Sequence, residues 1–391
     1  MNIERIRDDF PVTKTCVYLN TGFFGPISTP VVNAVKKYLD DSLRLGTGAY
    51  EVFSHALVEK EKAREQIAKI VGAAPNEISL TSRNTEGLNI AVRGLQWKKG
   101  DKIVINDLDY PPNMRLWNFL SRRLGVEIAT VRAAEDGRVS PSDVEKKMDE
   151  TTRLVAMCHV TFDTGLILPA KEIAKVAHER GALCLLDGAQ AVGAIDVDVK
   201  EIGCDFYTIA GQKALCAGQG TGALYFRKEL GNILDPLIVG DPYTSSFVPG
   251  LQKVETFDVT SPDGEHLAPY KFEPTSLNYP GIISMRAAAE YLNALGPRNA
   301  TARVRKLASM ALETLVDIPK LKFLGSTDPE RRIFASFIIE GKSNQDVTAN
   351  LLTEKKIATR ALKKCVRACP HWINTESEIS SLEEALREVV A

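Results

Sequence analysis

The sequence has no apolar run approaching the roughly 18 residues that a membrane-crossing helix needs. Its first residues, MNIERIRDDFPVTKTCVYLN, hold no apolar stretch of signal-peptide length. Nor is there an excess of charge of either sign. The 49 Lys and Arg stand against 50 Asp and Glu, a formal net charge of -1, which argues against a nucleic-acid surface or a polybasic membrane anchor. A disulfide framework is missing too, because the seven cysteines are odd in number and scattered at positions 16, 158, 184, 204, 216, 365 and 369. Internal repeats and low-complexity tracts are absent. The expectation is a soluble cytoplasmic protein with reduced, buried thiols and no nucleic-acid or membrane partner.

What is present is an alternation of β-branched apolar runs with amphipathic segments. The strand candidates are Ile78 to Thr81, Lys102 to Asn106, Val126 to Val131, Leu154 to His159, Ala182 to Asp187, Asp205 to Ala210 and Gly222 to Phe226. Helical spacing falls between them, at Glu86 to Leu95, Pro112 to Leu124, Ser140 to Met148 and Ala170 to Arg180. Strands alternating with helices need crossover connections. They predict an α/β fold with a mostly parallel, doubly covered sheet, and the unbroken apolarity of LVAMCHV and ALCLLD fits strands buried on both faces. From Ser284 the texture changes to two long helices, Ser284 to Leu295 and Thr301 to Val316, followed by the strand-like runs RIFASFIIE and KIATRAL. The expected division is a large domain over 46–283 and a smaller α+β domain over 284–391, with residues 1–45 packing against the smaller one.

In an open parallel sheet, ligands sit at the carboxyl ends of the strands, so a polar residue ending an apolar run carries positional meaning. Asp187 is such a residue. On its own it would be read as a turn or helix-capping aspartate. Lys213 follows one strand later, in AGQKALCAGQGTG, where small neighbours let a ligand approach the backbone; alone it would be a solvated surface lysine. Neighbouring strand ends would bring the two into one crevice.

These residues, in order and spacing, resemble the fold-type I pyridoxal phosphate enzymes of the class V aminotransferase and cysteine desulfurase family. The resemblance runs from YLNTGFFGPIS to VRACPHWINTESEI, and is densest in TSRNTEGLNIAV, LLDGAQAVGAIDVDV and DFYTIAGQKALCAGQGTGALYFRKE. It implies the cofactor, and with it a set of roles. Lys213 would hold the aldehyde as a Schiff base and carry protons at Cα, and Asp187 would keep the ring nitrogen protonated. Gln190 would hydrogen-bond the phenolic oxygen, and Tyr110, in DLDYPPN, would stack on the ring. Asn84 and Thr85, where a helix begins, would cradle the phosphate, although by themselves they are equally a capping motif. In FEPTSLNYPG, Thr275 or Ser276 would reach the phosphate of a neighbouring subunit, which implies a homodimer. Arg367, with Arg360 as a second contact, would clamp the substrate carboxylate.

The chain also departs from the family pattern. Ala210, Gly211, Gln212 and Lys213 stand where desulfurases usually carry Ser-Gly-His-Lys, so a phosphate hydroxyl is missing and Gln212 replaces a histidine beside the cofactor. HVTFDTG puts Phe162 where an asparagine is usual. These features are nearer the cyst(e)ine carbon-sulfur lyase and isopenicillin N epimerase-like branch. Other signals are set aside: EGKSN lacks the upstream glycine of a phosphate loop, since Ser336 is there, and Cys365, Cys369 and His371 lack the CxxC spacing of a zinc site.

The expected activity is carbon-sulfur β-elimination from cysteine, cystine or another S-substituted cysteine. Class V amino transfer, epimerase-like racemisation and cysteine desulfuration are the alternatives, and a non-catalytic scaffold of the same fold is more remote. The segment TRALKKCVRAC separates the first from the last enzyme on that list. Only six residues lie between Arg360 and Arg367, too few to carry a thiol on a long mobile loop, and Cys365 among them is expected to enter a strand.

Overall fold

A computed structural model describes residues 1–239, 268–274 and 276–391. Its main sheet has seven strands in the order Ile78–Thr81, Gly222–Phe226, Phe206–Ala210, Leu183–Asp187, Thr152–Cys158, Lys102–Asn106 and Glu127–Val131. Six run parallel and Gly222–Phe226 runs against both its neighbours. The sequence-expected strands are all present, each within two residues at its ends.

Alternation along each strand explains the double burial. Val104, Val155, Met157, Leu186, Tyr207 and Ile209 enter one core, while Ile103, Ile105, Leu154, Ala156, Leu185 and Phe206 enter another on the opposite face. Successive side chains of a strand point to opposite sides, so a strand covered by helices on both faces must be apolar throughout. The crossovers that cover it include Asn113–Leu124 and Ala170–Glu179.

A second sheet is antiparallel, in the order Arg360–Ala361, Val366–Ala368, Ala335–Ile339 and Leu321–Phe323, and shares its core with residues of Pro297–Leu315 and Glu376–Val390. The N-terminal segment joins it: Val17–Tyr18 pairs in parallel with Ile357–Ala358, and Asn20 bridges to Cys369. The helix that the sequence reading begins at Ser284 starts at Tyr279, where Asn278 accepts from the Gly281 amide as cap. It packs on Tyr50–Val71 and Thr29–Leu45, so a division at 283 falls inside a continuous helix that lies against the first half of the chain. One expected helix is shorter than drawn and another is shifted by two residues toward the N-terminus at equal length. Pro141–Glu145 stops three residues before Met148, and Asn84–Arg93 ends two before Leu95.

One buried ion cluster ties the edge of the main sheet to the segment after the undescribed residues. Arg64 donates to both oxygens of Glu273, at 2.7 and 2.8 Å, to the Ile78 carbonyl and to Glu61. Glu273 in turn accepts from the Leu80 amide at 2.7 Å. Both charges are out of water, and without Arg64 the Glu273 carboxylate keeps only buried Lys60, at 3.7 Å, and loses its bidentate partner. Arg64→Met is expected to lower the unfolding free energy by about 3–5 kcal/mol. Lys14→Ala, which breaks only the exposed pair with Asp8, should change it by about 1 kcal/mol or less in the same denaturant titration.

Candidate active site

The carboxyl ends of three neighbouring parallel strands, at Cys158, Asp187 and Ala210, open into a cavity of about 360 Å³. It is closed on one side by the small sheet and on another by the N-terminal segment at Gly22, Phe23 and Phe24. Asn84, Thr85, Tyr110, Asp187, Gln190, Gln212, Lys213, Arg360 and Arg367 all line it. Nine of the eleven residues singled out from the sequence are therefore in one place. Ser276 is exposed and does not line this cavity, and Thr275 lies outside the described residues.

Asp187 is buried at the floor and takes three donors: Asn84 Nδ2 at 3.1 Å, Asn113 Nδ2 at 2.9 Å and the Ala189 amide at 2.9 Å. Asn84 is thus divided between two tasks. Its side chain serves Asp187, and only its backbone, with Thr85, remains at the start of the helix Asn84–Arg93 for an anion. Gln190 donates through Nε2 to the Gly22 carbonyl at 2.9 Å, which docks the N-terminal segment against the site.

Lys213 comes off the turn after Phe206–Ala210. Loss of solvation lowers its pKa from 10.5 to about 8, against an opposing pull from Asp187. Its Nζ lies 5.7 Å from the centre of the Tyr110 ring, and that ring meets Phe162 edge-on at 5.3 Å. Tyr110 and Phe162 thus form one aromatic wall. The turn carrying Lys213 is gripped by Gly25, whose amide donates to the Gln212 carbonyl at 2.8 Å; a β-carbon there would sit 2.0 Å from the Lys213 carbonyl oxygen, so only glycine fits.

Arg360 and Arg367 are directly opposite each other in the antiparallel ladder, which puts both side chains on one face. Like charges so placed repel. Neither makes an ion pair with a carboxylate among the described residues. Arg360 lies 3.8 Å over the Phe23 ring, while buried Arg367 donates to the Phe162 carbonyl and leaves Nε unpartnered. With Lys213 and Arg83 the cavity gathers four cationic side chains against the single carboxylate of Asp187. Such a site is built for anions, and unpartnered Arg367 Nε and Gln212 Oε1 are polar atoms left for a ligand. The donor set fits a phosphorylated aldehyde with a cationic ring: an amine, a carboxylate, a helix start and paired guanidiniums.

Sequence reading missed Asn113, Arg83 and the wall formed by Phe23, Phe24 and Leu362. Asn113 looks like an ordinary first-turn residue, and only the pairing of Asn106 and Asp187 strands around Cys158 brings it to the floor. Cys365 is fully buried just before Val366–Ala368; its thiol donates to the Asp163 carbonyl at 3.6 Å, and burial pushes its pKa up to about 11. His371 is bound through Nε2 to the Ala214 carbonyl at 2.9 Å.

An amine that loses its proton near pH 8 is a nucleophile when ordinary lysines are still charged. Amine acylation of the cofactor-free protein at pH 8, followed by peptide mapping, is expected to label Lys213 first, with labelling that falls away as pH drops below about 8. Uniform labelling of the surface lysines with Lys213 unmodified would contradict this assignment.

The family model for class V aminotransferases matches residues 25–384. A probable cysteine desulfurase of Methanothermobacter thermautotrophicus is 33% identical over an alignment of 409 residues, covering 100% of this chain and 98% of the relative. The apo structure of the cysteine desulfurase from Thermococcus onnurineus matches with a TM-score of 0.86 at 27% identity, covering 99% of this chain and 98% of that one. The cystine C-S lyase C-DES, solved with its reaction product cysteine persulfide, matches in fold with a TM-score of 0.87 at 23% identity, covering 97% and 99%. The chain belongs to the class V aminotransferase family and is a pyridoxal phosphate-dependent enzyme of fold type I.

Proposed function

We propose that this enzyme cleaves the Cβ–S bond of cysteine, cystine or a related S-substituted cysteine by β-elimination. The names of its relatives support a sulfur amino acid as substrate. The observation that favours elimination is the burial of Cys365: at 0% exposure and held to the Asp163 carbonyl, its thiol does not line the cavity.

The cofactor, when bound, supplies an electron sink for charge that develops at the substrate's Cα. Lys213 would hold its aldehyde, Asp187 its ring nitrogen and Gln190 its phenolic oxygen. Tyr110 would lie against the ring, with Gln212 beside it, and Thr85 and the amides at the helix start would take the phosphate. Arg367, with Arg360, binds the substrate carboxylate and so fixes which Cα bond faces Lys213. The Lys213 amine takes the Cα proton, and the sulfur leaves Cβ with the electron pair of its bond. Water then completes the balance: cysteine gives pyruvate, ammonia and hydrogen sulfide, whereas cystine gives pyruvate, ammonia and cysteine persulfide. The apolar wall of Phe23, Phe24, Phe162 and Leu362 suits the sulfur side chain.

The reading carries with it a homodimer, in which Thr275 or Ser276 serves the phosphate of the other subunit. The exposure of Ser276, away from its own cavity, supports this. A cytoplasmic location follows from the same reading. Among the described residues no helix is long and apolar enough to cross a membrane. Persulfide formation on a protein thiol is the second reading, favoured by the desulfurase names of the relatives.

Product analysis separates the two. With L-cystine or L-cysteine the expected products are pyruvate and ammonia, and Cys365→Ala keeps its activity. Alanine together with a persulfide on Cys365 would establish desulfuration instead. Lys213→Ala should lose about 100-fold or more in turnover. Arg367→Lys is expected to raise KM by about tenfold with a smaller effect on kcat, since a point charge replaces a two-pronged donor.

A further inference from the structure

Behind Asp187 lies a second buried carboxylate, Asp109, that the proposed chemistry does not use. Asn113 joins the two: its Nδ2 donates one hydrogen to Asp187 at 2.9 Å and the other to Asp109 at 3.0 Å. Asp109 also accepts from the Tyr110 amide at 2.7 Å and from Trp117 Nε1 at 2.9 Å. Asp109, Asn113 and Trp117 are all buried. Among the described residues every hydrogen bond to Asp109 comes from a donor, and no acceptor is placed for a carboxyl proton, so the surroundings are shaped for the anion.

Among the described residues that anion has no cation of its own. The charged and titratable groups that face it are Asp187, the Cys158 thiol, and Tyr110 with the Lys213 amine beyond the ring. Burial, and then the charge of Asp187, push Asp109 up to about 6, while the three donors pull the other way. Two carboxylates bridged by one neutral amide repel each other, and a positive charge on the open side of Asp187 relieves that repulsion. The cavity side of Asp187 is where a cationic ring nitrogen would sit.

We infer that Asp109 is a positioning residue for the cofactor: through Asn113 it locks Asp187 in place and adds a second negative charge behind the carboxylate that faces the ring nitrogen. It also fixes the backbone of Tyr110, so ring partner and stacking partner are set by one group. The inference rests on the reading of Asp187 as the ring-nitrogen partner.

The test compares two ligands on the full-length, cofactor-free protein: pyridoxal phosphate, and its 1-deaza analogue, in which carbon replaces the ring nitrogen. Affinity is read by fluorescence titration. A unit charge about 8 Å away at an effective dielectric of about 20 corresponds to a factor of roughly 30. Asp109→Asn is therefore expected to weaken pyridoxal phosphate binding on the order of tenfold or more while leaving the analogue's affinity nearly unchanged. Equal losses for both ligands, or no loss for either, would overturn the inference. If Asp109→Asn does not fold, Asn113→Leu, which keeps the Asp109 charge but cuts the bridge, should show a smaller loss still confined to pyridoxal phosphate. Asp187→Asn is the reference: without selectivity there, the assignment of the ring partner fails, whereas selectivity there but not at Asp109 refutes this inference alone.

Discussion

A carboxyl group buried at the end of a central parallel strand needs hydrogen-bond donors around it, and Asp187 has three. Each comes from a different part of the chain. Asn84 opens the helix after the edge strand, Asn113 lies on the crossover helix after Asp109, and Ala189 belongs to the turn that follows Asp187 itself. The sheet therefore has to be assembled, in its register, before the charge is satisfied. Strand order, register and the position of Asp187 are a single constraint.

The same logic, with its sign reversed, governs the other wall. Arg360 and Arg367 face each other across a two-residue ladder, without a carboxylate partner among the described residues, and Lys213 loses part of its charge preference through burial. A fold gains nothing from such placements. They are tolerated because aromatic faces and carbonyls partly replace solvent: Phe23 under Arg360, the Phe162 carbonyl at Arg367, Tyr110 near Lys213. The site is thereby left short of negative charge by an amount that a phosphate and a substrate carboxylate supply.

The N-terminal segment fastens the two halves. Its strand pairs with Ile357–Ala358, its glycines at 22 and 25 admit Arg367, Cys369 and the Lys213 turn at distances no β-carbon would allow, and Gln190 holds it by the Gly22 carbonyl. Residues some 340 positions apart thus share one wall, and Phe23 and Phe24 become part of the pocket.

The sheet was legible because its signal is local. Seven apolar runs with turns between them need no tertiary information, and double burial follows from their lack of alternation. Asp187, Lys213 and the arginine pair were legible through motif order, and Cys365 through the shortness of its segment. The start of the helix at Tyr279 was not, since Leu277, Asn278 and Pro280 read as loop until Asn278 is seen capping. Asn113 and Asp109 were not either: both lie in DLDYPPN, yet of that motif only Tyr110 was given a role, because nothing along the chain shows that Asn113 reaches Asp187. Sequence by itself determined which strands form, that they are buried on both faces, and which charged residues meet in the cavity, because those follow from neighbours along the chain. The sharing of Asn84 between helix start and carboxylate, the Asn113 bridge and the burial of Cys365 against Asp163 were decided only by tertiary structure, because each depends on which strand ends are brought side by side.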